Sequence, residues 1–184
     1  MAMTIYIWLI FALWLALIAC WVFSAQVLER SNQCRWLWWR EVAVRLGFFA
    51  LIVFVLQAAA TQHYLPEERL YTLGAGALTG LTGLALCTSG IGLATLARIH
   101  LQRSPDLVTS GPYALVRHPL YGGLMLAMLG SAIAQSLLWL LPLIVYTPLF
   151  VLSARREESL LLEKYAGRYA DYRRRTRMLV PFVL

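Results

Sequence analysis

Charged residues are scarce in this chain of 184 residues, making up 14% of the sequence against 60% hydrophobic residues. Acidic residues are the scarcest, with nine Asp and Glu against sixteen Lys and Arg. A soluble globular domain carries about a quarter charged residues, so the composition excludes an ordinary protein of that class. It indicates an integral membrane protein, which we expect to form a single membrane domain over residues 1–184.

Cysteine and histidine are also rare, with three of each. Cys20, Cys34 and Cys87 lie far apart and form no C-x-x-C pair, so we expect neither a disulfide framework nor a zinc site. No two histidines stand at the spacing of metal ligands, and we expect no metal centre. The net charge of +7 is explained by membrane topology and gives no reason to expect a nucleic-acid partner.

Three long apolar runs occupy residues 1–100: Ile5–Leu28, Val42–Thr61 and Tyr71–Ala97. Each is long enough to cross about 30 Å of hydrocarbon as a helix. The first run lacks a basic segment before it and a small-residue cleavage site after it. We therefore interpret it as a retained membrane anchor rather than a signal peptide.

The fourth apolar run, Leu120–Leu152, has 33 residues, which is too many for one crossing. We interpret it as a tight helical hairpin that turns near Ala134–Ser136, with Pro142 and Pro148 bending its second arm. Residues 104–184 would then form the hairpin and a polar tail. The predicted fold is all-α, with about five transmembrane helices.

Basic residues predict the orientation of these spans. Arg30, Arg35 and Arg40 follow the first span, the loop at residues 61–69 is acidic, and residues 154–184 hold eight of the sixteen Lys and Arg. The positive-inside rule then places the tail in the cytoplasm and the N-terminus outside. We expect a multi-pass protein of the cell membrane in a bacterium or archaeon, or of the endoplasmic reticulum in a eukaryote, with the basic tail near anionic lipid.

The third span is rich in glycine. The stretch GAGALTG at residues 74–80 resembles a dinucleotide-binding fingerprint, but its spacing is G-x-G-x-x-x-G and no predicted strand precedes it. Gly76 and Gly80 form a small-xxx-small face. We interpret this face as a helix-packing contact rather than a ligand site.

The predicted hairpin brings two polar stretches together, VRHPLY at residues 116–121 and SARREE at residues 153–158. Pro119 suits the first position of a helix, so Arg117 and His118 should lie at a positive helix N-terminus that attracts an anion. The opposing glutamates should lie in the last helical turn of the fifth span, where a cation would compensate them. Each motif by itself has an ordinary structural explanation. RHP is typical of a basic anchor at a helix start, and RREE is typical of a run of charges at the membrane interface. Together on one rim they favour a site for a ligand that carries both a carboxylate and an ammonium group.

Two motifs in these regions match a known family. LVTSGPYALVRHPLYGG, then ARREESLLLEKYAGRYADYRRRT and a terminal LVPF, resemble the isoprenylcysteine carboxyl methyltransferases and their phospholipid methyltransferase relatives over Asp106–Phe182. The resemblance implies a membrane enzyme that uses S-adenosylmethionine, bound in a cytoplasm-facing pocket of the last two spans and the tail. By position it implies these cofactor-binding residues: Tyr113, Val116, Arg117, His118, Tyr121, Glu157, Glu158, Tyr169 and Tyr172.

Methyl transfer is an in-line displacement that depends mainly on proximity and alignment. Arg155 or Arg156 would orient a substrate carboxylate, and Glu158 would serve as the base for an amine acceptor. The chain departs from the family at Tyr165–Ala166, where relatives have an aromatic residue followed by glycine.

The methyl acceptor is expected to be lipid-like or amphiphilic. A prenylated cysteine carboxylate, a fatty acid, a small thiol, a quinol precursor and a phospholipid amine all suit an opening between spans. Two other functions stay open: a nicotinamide-dependent reductase related to the sterol and steroid reductases, and a non-catalytic membrane partner. The sequence does not determine the oligomeric state.

Overall fold

The computed structural model describes residues 2–27, 77–104, 106–135 and 137–179. Four α-helices lie in these ranges: α1 (Ala2–Val27), α2 (Ala77–Arg103), α3 (Pro119–Ala134) and α4 (Leu140–Arg175). Single 3₁₀ turns at Gly111–Ala114 and Leu137–Trp139 precede α3 and α4. The all-helical class is thus confirmed for the described ranges, which contain no strand.

The number of membrane spans is not decided by these helices. The predicted second span, Val42–Thr61, lies outside the described residues, as do Arg30, Arg35 and Arg40 and the acidic loop. Within the described residues, α2 is long and apolar enough to cross a bilayer. Residues Trp8–Trp21 of α1 and Pro119–Ala134 are shorter apolar helical stretches. The five-span topology therefore stays a prediction.

Helices α2 and α3 approach so closely that glycine is required at their contact. A Cβ atom on Gly90 would lie 2.5 Å from the backbone nitrogen of Ala127 and 2.5 Å from the carbonyl oxygen of Gly123. Two helical turns away, a Cβ on Gly83 would lie 2.5 Å from the backbone nitrogen of Ala134. The small-residue contact lets two backbones meet directly, which fixes the position of α3 relative to α2.

The predicted packing role of the glycine-rich span is confirmed at Gly80, where a Cβ would lie 2.5 Å from the ring of Tyr6 in α1. Gly76 lies outside the described residues. The same helix α1 is held to α3 by a buried hydrogen bond of 3.1 Å from Trp14 Nε1 to Ser131 Oγ. Trp14 also stacks on Trp139 at a centroid distance of 5.8 Å. Three sequence-distant segments thus share one core.

The predicted hairpin is confirmed. Helix α3 ends at Ala134, Gln135 donates its backbone N–H to Ser131 at 3.0 Å, and α4 begins at Leu140. Helix α4 then continues to Arg175, so the placement of residues 155–158 in its last turn was wrong. Residues 154–175 were interpreted as a tail because they are polar. A helix that is exposed on most of its surface can be equally polar, so composition did not distinguish the two.

Helix α4 is interrupted at Ala166, which has non-helical dihedral angles, φ 40° and ψ −116°. This interruption was not predicted from the sequence, and the bending of α4 by Pro142 and Pro148 stays a prediction. Ala166 stands at the position where the family resemblance leads us to expect a glycine. Positive φ costs an alanine about 1 kcal/mol or more, whereas glycine adopts it readily.

We expect Gly90→Ala to lower the free energy of unfolding by about 1–3 kcal/mol, because its methyl group must push α3 away from α2. The control is Gly92→Ala in the same helix, where a Cβ would meet nothing within 4 Å. Unfolding in detergent, followed by circular dichroism, compares the two variants. Equal stability would contradict the close helix contact.

We expect Ala166→Gly to raise the free energy of unfolding by about 1 kcal/mol, because it relieves the positive φ. The matched control is Ala170→Gly, which makes the same substitution at an ordinary helical position and should destabilise by about 0.5–1 kcal/mol. The same unfolding measurement applies. A loss of stability in Ala166→Gly would show that the bend is not strained.

Candidate functional site

The start of α3 and the middle of α4 form the polar cluster that the hairpin predicts. His118 is the N-cap residue of α3, and Pro119 occupies the first helical position. Nδ1 of His118 lies 3.3 Å from Glu157 Oε2, and Nε2 lies 3.4 Å from Glu158 Oε1. The predicted alignment of residue 118 with residues 155–158 is confirmed, and the imidazole lies between two carboxylates.

Glu158 is the buried member of the carboxylate pair, with 6% of its side chain exposed. Arg117 Nε donates a hydrogen bond of 2.6 Å to its Oε1, and Arg173 Nε lies 3.4 Å from its Oε2. A buried carboxylate needs such partners, because desolvation of an unpaired charge is very unfavourable. Nε2 of His118 is buried too, and its approach to Glu158 lacks the geometry of a hydrogen bond.

Glu157 is the accessible member, with 46% of its side chain exposed. The Tyr121 hydroxyl donates a hydrogen bond of 2.5 Å to its Oε1. The Tyr121 ring lies between His118, at 5.8 Å, and Phe150, at 5.0 Å, in nearly parallel stacks. Phe150 was missed by the sequence analysis, although it precedes Glu157 by two helical turns and so shares its helix face.

The donors at the start of α3 are used differently from the prediction. The backbone N–H groups of Arg117 and His118 donate to Arg177 and Met178, at 2.8 and 3.0 Å. Nη1 of Arg117 donates to the carbonyl oxygens of Arg173 and Thr176. The sequence predicts an anion site at this helix N-terminus, which would use free backbone N–H groups. Those of Arg117 and His118 are not free, because the chain after α4 returns over this end of α3.

Val116 lies in the same contact, where it is buried and forms a parallel backbone bridge with Arg177. Val116 therefore lies beside the cluster because its backbone pairs with Arg177. Its side chain is apolar and offers no polar group to the cluster. Its predicted part in cofactor binding stays a prediction, as do the parts of the other site residues.

Three predicted tyrosines pack beneath the cluster. The hydroxyl of Tyr172 donates a hydrogen bond of 2.7 Å to the carbonyl oxygen of Tyr113, and burial raises the pKa of Tyr172 to about 12. Burial, and then the charge of Glu157, raise the pKa of Tyr113. The hydroxyl of Tyr169 is buried without a hydrogen-bond partner in the described part of the chain. Burial and then Glu158 raise the pKa of Tyr169, so it remains a neutral donor at physiological pH.

Arg155 and Arg156 are exposed and form no ion pair with any residue that the structure describes. Successive residues of an α-helix are rotated by about 100°. Arg156 therefore points away from Glu158, whereas Arg155 lies about 60° from it. Of the two predicted catalytic arginines, Arg155 is the one on the side of the cluster.

In the described ranges, no group of three or more His, Cys, Asp and Glu residues is arranged to hold a metal ion.

Similarity to known proteins covers the same region. Residues 91–168 match the family model of phospholipid methyltransferases, a family that includes the isoprenylcysteine carboxyl methyltransferases. The match begins within α2 and contains Tyr113, the start of α3 and both glutamates. It ends one residue before Tyr169.

Two curated bacterial proteins are similar to the chain. The nickel-cobalt-cadmium resistance protein NccN of Alcaligenes xylosoxydans is 28% identical over 138 residues, which cover 74% of this chain and 64% of NccN. The cobalt-zinc-cadmium resistance protein CzcN of Cupriavidus metallidurans is 35% identical over 105 residues, which cover 53% of this chain and 49% of CzcN. The chain thus spans less than two thirds of the length of either relative. No solved structure matches it.

The matched segment and the cluster that surrounds His118 coincide, since both the GPY–RHP stretch and the paired glutamates lie within it. Residues 91–168 of this chain thus match the phospholipid methyltransferase family.

Proposed function

We propose that this protein is an integral membrane methyltransferase that uses S-adenosylmethionine to methylate a lipid-like or amphiphilic acceptor. One observation carries the proposal: the His118 imidazole lies between the carboxylates of Glu157 and Glu158, inside a segment that matches a methyltransferase family. The hairpin assembles this cluster from distant parts of the chain, since Arg117 and Glu158 are separated by 41 positions.

The polar groups present fit S-adenosylmethionine, which carries a carboxylate, an ammonium and a sulfonium. Glu157 offers a half-exposed carboxylate for a cationic group. Two buried polar atoms, Nε2 of His118 and the hydroxyl of Tyr169, have no hydrogen-bond partner among the described residues, and such atoms require one. When bound, the cofactor supplies an activated methyl group.

The protein's own residues would act mainly by positioning. Arg155 would orient an acceptor carboxylate through bidentate hydrogen bonds. An amine acceptor needs a base, and here Glu157 is favoured over Glu158. Glu158 is buried against Arg117 and Arg173, whereas Glu157 is accessible to an acceptor.

The acceptor would enter from the membrane. The face of α4 that precedes the cluster is apolar and exposed, at Leu141, Ile144, Val145, Leu149 and Leu152, as expected for contact with lipid. Arg155 lies on the same side of α4, so an amphiphile held there would place its polar head at the level of Arg155. The names of the two relatives describe metal resistance rather than a reaction, and methylation of a membrane component is compatible with them.

We expect S-adenosylhomocysteine to bind the detergent-purified protein, and His118→Ala and Glu158→Gln each to weaken binding at least about tenfold, or about 1.4 kcal/mol. The reason is that each variant removes one side of the cluster. Glu163→Ala, an exposed glutamate further along α4, is the control and should bind as the wild type does. Calorimetric titration measures all four proteins.

Wild-type affinity in both cluster variants would contradict a two-sided pocket. Binding of reduced nicotinamide dinucleotide instead would establish the reductase alternative. Binding of neither ligand would favour a non-catalytic membrane protein.

We further propose five spans with the C-terminus in the cytoplasm, where the cofactor is available. A reporter fused after Leu184 should then be active in the cytoplasm, and one inserted at residues 61–69 should be active outside, as the positive-inside rule requires. Paired cytoplasmic and periplasmic reporters at each position measure this. The reverse pattern would place the cluster on the wrong side for the cofactor and contradict the proposed function.

A further inference from the structure

The chain that follows α4 pairs with the start of the site. Residues 176–179, here called the C-terminal strap, leave the helix in an extended conformation at Thr176, with φ −125° and ψ 154°. The strap runs parallel to residues 116–118, with a backbone bridge between Val116 and Arg177. Leu179 is only 4% exposed, so the strap is packed into the protein.

Its carbonyl oxygens accept hydrogen bonds from the two residues that approach Glu158. The backbone N–H groups of Arg117 and His118 donate to the strap at 2.8 and 3.0 Å, and Nη1 of Arg117 donates to Thr176. The strap thereby fixes both the backbone at this point and the direction of the guanidinium group. Thr176 is held in turn by a hydrogen bond of 2.8 Å from its hydroxyl to the carbonyl of Tyr172.

A glycine leaves space for the strap. A Cβ atom on Gly122 in α3 would lie 2.9 Å from the carbonyl oxygen of Leu179, which is closer than such atoms approach. The backbone atoms of Leu179 are its only neighbours within 4 Å outside its own helix and chain neighbours, among the described residues. A side chain at residue 122 would therefore displace the strap without altering any polar group of the site.

We propose that the C-terminal strap is a positioning element of the ligand site and that it acts through Arg117 and His118. Gly122 is the residue whose missing side chain leaves space for the strap. The strap sets these two residues through its backbone and need not contact the ligand. The part of this inference that concerns cofactor affinity rests on the proposed function. The pairing of the strap with residues 116–118 does not.

The test is a pair of graded substitutions in the full-length protein, Gly122→Ala and Gly122→Val. Amide hydrogen exchange at Arg117 and His118 should accelerate at least about tenfold, since their hydrogen bonds to the strap open when the strap is displaced. Gly92→Ala and Gly92→Val add the same groups to a helical glycine with open space around it. These controls should leave exchange at Arg117 and His118 unchanged.

Affinity for S-adenosylhomocysteine should fall at least about tenfold in the Gly122 variant that opens the strap. When that variant is combined with His118→Ala, the double variant should lose much less binding free energy than the sum of the losses in the two single variants. The reason is that the strap acts through His118. If the strap were only a structural contact, the Gly122 substitution would lower the unfolding temperature, and the losses of binding free energy in the two single variants would add. Additive losses, or full affinity with fast exchange at Arg117 and His118, would overturn the proposal.

Exchange that stays slow in both Gly122 variants would also overturn it, since the strap would then not depend on this glycine. If the wild-type protein binds no S-adenosylhomocysteine, the proposed function fails, and the exchange measurement still decides whether the strap holds Arg117 and His118.

Discussion

The ion pair between Arg117 and Glu158 joins the start of α3 to the middle of α4, and both side chains are almost excluded from solvent. A carboxylate in such a place is stable only if cationic and hydrogen-bonding partners replace water. Arg173 supplies a second cation, and the backbone of the C-terminal strap holds the first. The position of the strap, the end of α4 and the start of α3 therefore all depend on keeping this one charge paired.

The pair can be held rigidly because α3 is itself fixed. Its glycines meet the backbone of α2 directly, so α3 cannot rotate or shift without a clash. The contact between α3 and α4 is of another kind, with the rings of Tyr121 and Phe150 stacked between them. One arm of the hairpin is thus a fixed support, and the other carries the accessible carboxylate Glu157 on the side that faces α3 and an exposed apolar face on its other side. This arrangement suits a polar ligand held on one side and an amphiphile on the other.

The two carboxylates differ in what they can do, although they are neighbours in sequence. Adjacent helical residues are about 100° apart, which directs Glu158 into the cluster and leaves Glu157 at its edge. Glu158 is committed to Arg117. Glu157 accepts a hydrogen bond from the Tyr121 hydroxyl and lies 3.3 Å from the His118 imidazole, and it remains half open to solvent. Under the proposed function, Glu158 is the buried charge that organises the site and Glu157 is the accessible charge for a cationic group.

The amino-acid composition alone predicted the membrane class, and the length of the fourth apolar run predicted the hairpin whose turn lies between Ala134 and Leu140. The alignment of His118 with Glu157 and Glu158 followed from that turn by counting residues along two antiparallel helices. Only the tertiary structure showed that α4 continues to Arg175, that Ala166 has positive φ, and that the strap uses the donors of Arg117 and His118. The reason is that the strap's contacts join residues far apart in the chain, such as Arg117 and Thr176, which are separated by 59 positions. Local periodicity reports which face of a helix is apolar, but it does not report which distant carbonyl a backbone N–H group meets.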